Sequence, residues 1–101
     1  MVTKLTIESF ENEALNSDIP VLVDFFADWC GPCQRLAPAI ERISERYAGK
    51  VKVCKVNVDE EMELAKKYRV FSIPTLMVIQ DGEIAHKMTG ARGKAQIMAA
   101  L

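Results

Sequence analysis

Cys30 and Cys33 stand three positions apart in the stretch WCGPC, with only Gly31 and Pro32 between them. A pair at this spacing can ligate a metal, staple a chain or pass electrons. A structural zinc site calls for about four ligands, generally supplied as two close pairs. Here the second pair is missing, and the remaining candidates, Cys54 and His86, each fall inside a strand-like run. No metal site is therefore expected. Redox chemistry fits better, because the pair follows an apolar strand and opens a helical pattern.

At a helix start, unpaired backbone N–H groups and the helix dipole favour a thiolate by ~0.3 to 2 kcal/mol. Cys30 is thus the expected nucleophile. Cys33, one turn further along the same face and expected to be more shielded, would resolve the mixed disulfide. Neighbours at this spacing lie within about 5 to 6 Å at Cβ, close enough to form a disulfide after a small adjustment. Gly31 leaves room for another chain's backbone, while Pro32 presets φ in the first turn and carries no N–H. An inert turn holding two unreactive thiols is the plainer alternative.

The elements that must position the pair follow from periodicity. Lys4 to Ile7 reads as a first strand, with Ser9 capping a short helix that contains Phe10 and Leu15. Pro20 to Ala27, PVLVDFFA, is apolar on both alternating faces except for Asp24, which marks a central strand covered on both sides. Leu36, Ile40, Ile43 and Tyr47 recur at helical spacing up to Gly49, with Pro38 inside the helix and expected to kink it. Val51 to Val58 is a strand, and Asp59 is expected to cap a helix running through Tyr68. Thr75 to Gln80 and Glu83 to Met88 form a hairpin across Asp81 and Gly82, and Lys94 to Leu101 is a last short helix. The order βαβαβαββα predicts an α/β fold with a parallel core and an antiparallel closing hairpin.

The chain has 101 residues, enough for a single domain spanning 1–101. Half of the residues are hydrophobic and 27% are charged, an ordinary globular balance. Thirteen basic and 14 acidic side chains give a net charge of −1, which leaves no basic footprint for nucleic acid or anionic lipid. No run approaches the roughly 20 apolar residues of a membrane span, and no signal-like segment opens the sequence, so a cytoplasmic location is expected. A stabilising disulfide framework is not expected in such a reducing compartment.

Asp24 is a carboxylate among apolar neighbours. Burial would raise its pKa and suit it to accept the Cys33 proton; an aspartate hydrogen-bonded to backbone or water at a sheet irregularity is the alternative. Trp29 could equally be a packing residue, and Lys55 a surface lysine with a buried stem. Cys54 reads as inert core and His86 as a surface or half-buried residue. The scattered Met62, Met77, Met88 and Met98 read as gap-fillers.

WCGPC after an apolar strand with one aspartate, followed by NVD, SIPT, a DG hairpin and Gly90, resembles the thioredoxin family over nearly the whole chain. The resemblance implies the thioredoxin fold, a mixed five-stranded sheet flanked by four helices, and a thiol-disulfide oxidoreductase that reduces partner proteins through a redox disulfide between Cys30 and Cys33. It implies catalytic roles for Asp24 and Lys55. It also implies a cis Pro74, where X–Pro statistics alone favour trans, and a substrate-binding surface of Trp29, Gly31, Pro32, Ile73, Pro74, Gly90 and Ala91. No cofactor is implied.

The partners implied are a thioredoxin reductase, either an NADPH-dependent flavoprotein or a ferredoxin-linked enzyme, and disulfide-containing proteins such as peroxiredoxins, ribonucleotide reductase and methionine sulfoxide reductases. The carrier is expected to be a monomer serving electron transport and cell redox homeostasis. Two departures from the family pattern stand out: Phe26 where many members have tryptophan, and Gln34 where lysine is common. The last helix also ends about a turn early. A non-catalytic binding scaffold is the rival from another class. A disulfide-forming oxidant is disfavoured by Gly-Pro, where oxidants often carry histidine.

Overall fold

A computed structural model of the chain describes residues 1–90 and 94–101, with side chains for 1–90 and 96–101. The elements run β1 (Thr3–Lys4), α1 (Ile7–Phe10) continued by a π-helical turn (Glu11–Leu15), β2 (Val21–Phe26), α2 (Gly31–Arg46), β3 (Lys52–Asn57), α3 (Met62–Lys67), β4 (Thr75–Gln80), β5 (Glu83–Thr89) and α4 (Lys94–Ala99). The sheet order is β1-β3-β2-β4-β5. β1, β3 and β2 are parallel, β4 runs antiparallel to β2, and β5 closes the sheet as the second arm of the hairpin. This is the mixed five-stranded α/β sheet with four helices expected from the pattern of elements.

The period of two along β2 divides the core. Val21, Val23 and Phe25 face one way, into a cluster with Phe10, Leu64 and Met77; Leu22 faces the other, with Leu36, Ile40, Ile43, Leu76 and Ile97. Asp24 shares the second face by the same alternation, which sets it beneath α2. Burial on both faces explains why β2 is apolar almost throughout.

The hairpin turn has Asp81 at φ 54° and Gly82 at φ 78°, the pair of positive angles that matches strand twist in a two-residue turn. Two sequence expectations are corrected near the N-terminus. The first strand stops at Lys4, and Thr6, not Ser9, caps the first helix. Ser9 instead occupies the third helical position and reciprocates, its hydroxyl accepting from the Thr6 N–H at 2.9 Å while its own N–H donates to the Thr6 hydroxyl at 3.2 Å. Helix α2 is continuous across Pro38 and ends at Arg46 with Tyr47 as its C-cap, two residues before Gly49.

Packing decides which aromatic side chains matter to stability. Phe25 is wholly buried, whereas Phe71 is 88% exposed. Phe25→Ala is expected to cost ~3 to 5 kcal/mol in urea unfolding, and Phe71→Ala no more than about 0.5 kcal/mol.

Candidate functional site

Strand β2 delivers the chain to a tight turn in which the Cys30 N–H donates to the Ala27 carbonyl at 3.2 Å. Cys30 is extended, at φ −85° and ψ 108°, and serves as the N-cap of α2. Its Sγ accepts the Cys33 N–H at 3.2 Å, the place usually taken by a serine, threonine or aspartate oxygen. Pro32 lies in the first turn, where its missing N–H costs no hydrogen bond. Cys30 and Cys33 are joined in a disulfide with Cα atoms 5.2 Å apart.

Both sulfur-bearing residues are 4% exposed, so Cys33 is no better shielded than Cys30, contrary to the sequence expectation. The disulfide bridges the first turn and is covered by Ala27, Phe26, Val58 and Ile73. The Cys33 N–H on the Cys30 sulfur lies at the positive end of the α2 dipole.

Trp29, beside the disulfide, is 72% exposed and is not a core residue. Its indole N–H donates to the Asp59 carboxylate at 2.8 Å. Asp59 therefore does not cap α3 as its place in the sequence suggested. Glu61 occupies that position without a side-chain cap, and its carboxylate accepts the Ile7 N–H at 2.8 Å. The Asn57 side-chain carbonyl accepts the Asp59 and Glu60 N–H groups at 2.9 and 3.2 Å, folding the β3–α3 loop so that Asp59 reaches Trp29. Sequence reasoning missed Asp59 as a site residue; its only signal was the NVD stretch, which reads equally well as a helix start.

Asp24 and Lys55 are direct neighbours in the β2/β3 register. Asp24 is 6% exposed, and among the described residues its Oδ1 has no hydrogen-bond partner. Desolvation pushes its pKa up from 3.8 to about 7, with the Lys55 ammonium opposing the rise. A cleft of about 160 Å³ runs along Asp24 and Lys55 to Cys33, with Gln34 and Ala37 on its α2 side. Lys55 Nζ lies 5.7 Å from the Phe26 ring centroid, so a cation–π contact replaces free extension into water. The Gln34 amide donates to the Asp28 carbonyl.

The Ile73–Pro74 peptide bond is cis. Ile73 packs against the disulfide cluster, and the Pro74 carbonyl accepts the Gly90 N–H at 2.8 Å. Gly90 has φ 82°, a left-handed conformation that favours glycine. Trp29, Gly31, Pro32, Ile73, Pro74 and Gly90 thus lie on segments that meet where β2 ends and β4 begins; Ala91 lies outside the described residues.

Cys54 is fully buried in the core, and burial lifts its thiol to about 11, out of reach of redox chemistry at neutral pH. His86 is exposed. Of the methionines, Met77 is buried and Met88 and Met98 fill partly buried positions, but Met62 is 59% exposed. Among the described residues no cluster of three or more His, Cys, Asp or Glu side chains could hold a metal, and no helix is long and apolar enough to cross a membrane.

The family model described as Thioredoxin matches residues 1–101. Thioredoxin of Pseudomonas aeruginosa is 45% identical, over 99% of this chain and 93% of its own length. Thioredoxin 1 of a Nostoc species is 46% identical over 93% of this chain and 88% of its own. Thioredoxin of Rickettsia bellii is 47% identical over 97% and 93%. With a redox-competent disulfide at the head of α2 and this likeness over its whole length, the chain belongs to the thioredoxin family and is a thiol-disulfide oxidoreductase.

Proposed function

We propose that this single domain is a cytoplasmic, monomeric dithiol carrier in which Cys30 attacks and Cys33 resolves. The Cys30 thiolate attacks one sulfur of a protein disulfide, forming a mixed disulfide and releasing one substrate thiolate. Cys33 then loses its proton to Asp24 and attacks the Cys30 sulfur, expelling the second substrate thiolate. The substrate gains two electrons, its two thiolates take up one proton passed on from Asp24 and one from solvent, and the carrier leaves as the Cys30–Cys33 disulfide. A reductase returns the two electrons. By likeness to the family it is a thioredoxin reductase, either an NADPH-dependent flavoprotein or a ferredoxin-linked enzyme.

The observation that carries this reading is the Cys30 sulfur in the capping position of α2, bonded to the Cys33 N–H. Support for Asp24 as proton acceptor comes from the cleft it shares with Cys33 and from a carboxyl group poised near neutrality. Lys55 tunes that carboxyl from the neighbouring strand. Trp29, Gly31, Pro32, Ile73, Pro74 and Gly90 form the surface that receives an extended segment of the partner, which binds through main-chain hydrogen bonds. Peroxiredoxins, ribonucleotide reductase and methionine sulfoxide reductases are the substrate types proposed.

In an insulin-reduction assay with dithiothreitol, Cys30→Ser and Cys33→Ser are expected to lose the protein-dependent rate. Cys33→Ser should also accumulate a mixed disulfide detectable by mass spectrometry. An inactive wild-type chain would favour a binding scaffold instead.

Single-turnover resolution should quicken as pH rises through about 7, where Asp24 gives up its proton. In Asp24→Asn that inflection should vanish and the rate at neutral pH fall by about 10²-fold; unchanged kinetics from pH 6 to 9 would refute the role.

The same carboxyl links stability to pH. Its folded pKa lies above the value of 3.8 it has when exposed, so the folded state holds the proton more tightly. The wild-type oxidised protein should therefore lose stability as pH rises from about 4 through 7. At pH 8, Asp24→Asn should be more stable by ~4 kcal/mol, with the difference fading out as pH falls below 4. Denaturant titrations across that range check this.

A further inference from the structure

Helix α3 ends in an unusual way for its sequence. The Arg69 N–H donates to Lys66 O at 3.2 Å and the Val70 N–H to Ala65 O at 2.8 Å, the paired bonds of a Schellman ending. That ending needs a left-handed residue, normally glycine, yet here Arg69 takes it at φ 54°. A side chain from a distant strand supports the turn. Lys87, on β5 opposite Met77, donates from Nζ to Tyr68 O at 2.8 Å and to Arg69 O at 2.9 Å. These carbonyls lie at the negative end of the helix, where a cation is favoured. A lysine acting only as a surface charge would extend into water; this one folds onto two acceptors at once.

Beyond Arg69 the chain runs directly to the disulfide. The downstream end of this segment is held by the Thr75 hydroxyl donating to Ser72 O at 2.6 Å and by Gly90 donating to Pro74 O. Ile73 between them packs on the cysteine pair. Lys87 holds the upstream end. We propose that Lys87 is a positioning residue for substrate binding: its ammonium clamps the left-handed turn at Tyr68 and Arg69 and so sets where Ile73 meets the partner's chain. The clamp never touches the reacting sulfurs. It rests on the proposed function, in which Ile73 and Pro74 face the substrate.

The test compares Lys87→Met, which keeps the stem and removes the charge, with Lys87→Arg. Amide exchange of Arg69 and Val70 should quicken about 10-fold in Lys87→Met and stay near wild type in Lys87→Arg. It should recover in Lys87→Met combined with Arg69→Gly, because glycine adopts the turn unaided. In single-turnover reduction of insulin, Lys87→Met should raise the half-saturating concentration about 3-fold with the limiting rate unchanged. Reaction with a small disulfide, oxidised glutathione, should not change.

Unaltered exchange and unaltered half-saturation in Lys87→Met would overturn the proposal. So would a loss shared equally by insulin and glutathione, which marks a merely structural effect. Ile73→Ala run alongside separates the two levels. If it weakens insulin binding while Lys87→Met does not, only the clamp fails. If Ile73→Ala leaves insulin binding unchanged, the substrate-face reading fails and the clamp proposal falls with it.

Discussion

A backbone N–H at the start of α2 that points at sulfur instead of oxygen is the contact on which the site is built. The first N–H groups of any helix lack partners within the helix, and a polar side chain at the cap usually satisfies one of them. Here the Cys30 sulfur takes that place, bonded to Cys33 one turn on. The atom that caps the helix is also one end of the disulfide. Because both cysteines lie within a single turn, with Cα atoms 5.2 Å apart, closing or opening the bond asks little of the backbone around it.

The rest of the site follows from where β2 lies. As the central strand of the sheet it must be apolar on both faces, and it is, apart from Asp24. Parallel pairing with β3 brings Lys55 alongside that carboxylate, and alternation turns it toward α2, whose first turn carries Cys33. A buried carboxyl with an unpaired oxygen costs stability.

Three loops meet at the same end of the sheet. The turn after β2 carries Trp29, the loop after β3 brings Asp59 to its indole, and the segment before β4 sets Ile73 on the disulfide. Each is fixed by side-chain contacts to the backbone: Gln34 on Asp28 in the first, Asn57 on its own loop in the second, and Thr75 on Ser72 with Lys87 on the end of α3 in the third. Trp29 stays exposed while its indole N–H is held by Asp59.

Much was legible in the residues themselves. The period of two in VLVDFF, the period of 3.6 after Cys33 and the Asp81-Gly82 pair report local geometry, because alternation, helical spacing and turn preference act over a few residues. They placed the cysteine pair at a helix start and Asp24 in a central strand. Other features depend on groups far apart in sequence. Thr6 and Ser9 offer equivalent hydroxyls, and chain direction alone does not say which one caps. Asp59 could cap a helix or hold Trp29, and only the fold of the Asn57 loop decided between them. The cis bond at Pro74, the equal burial of the two sulfurs and the reach of Lys87 to α3 likewise belong to the tertiary structure, since each depends on where a second segment of chain comes to rest.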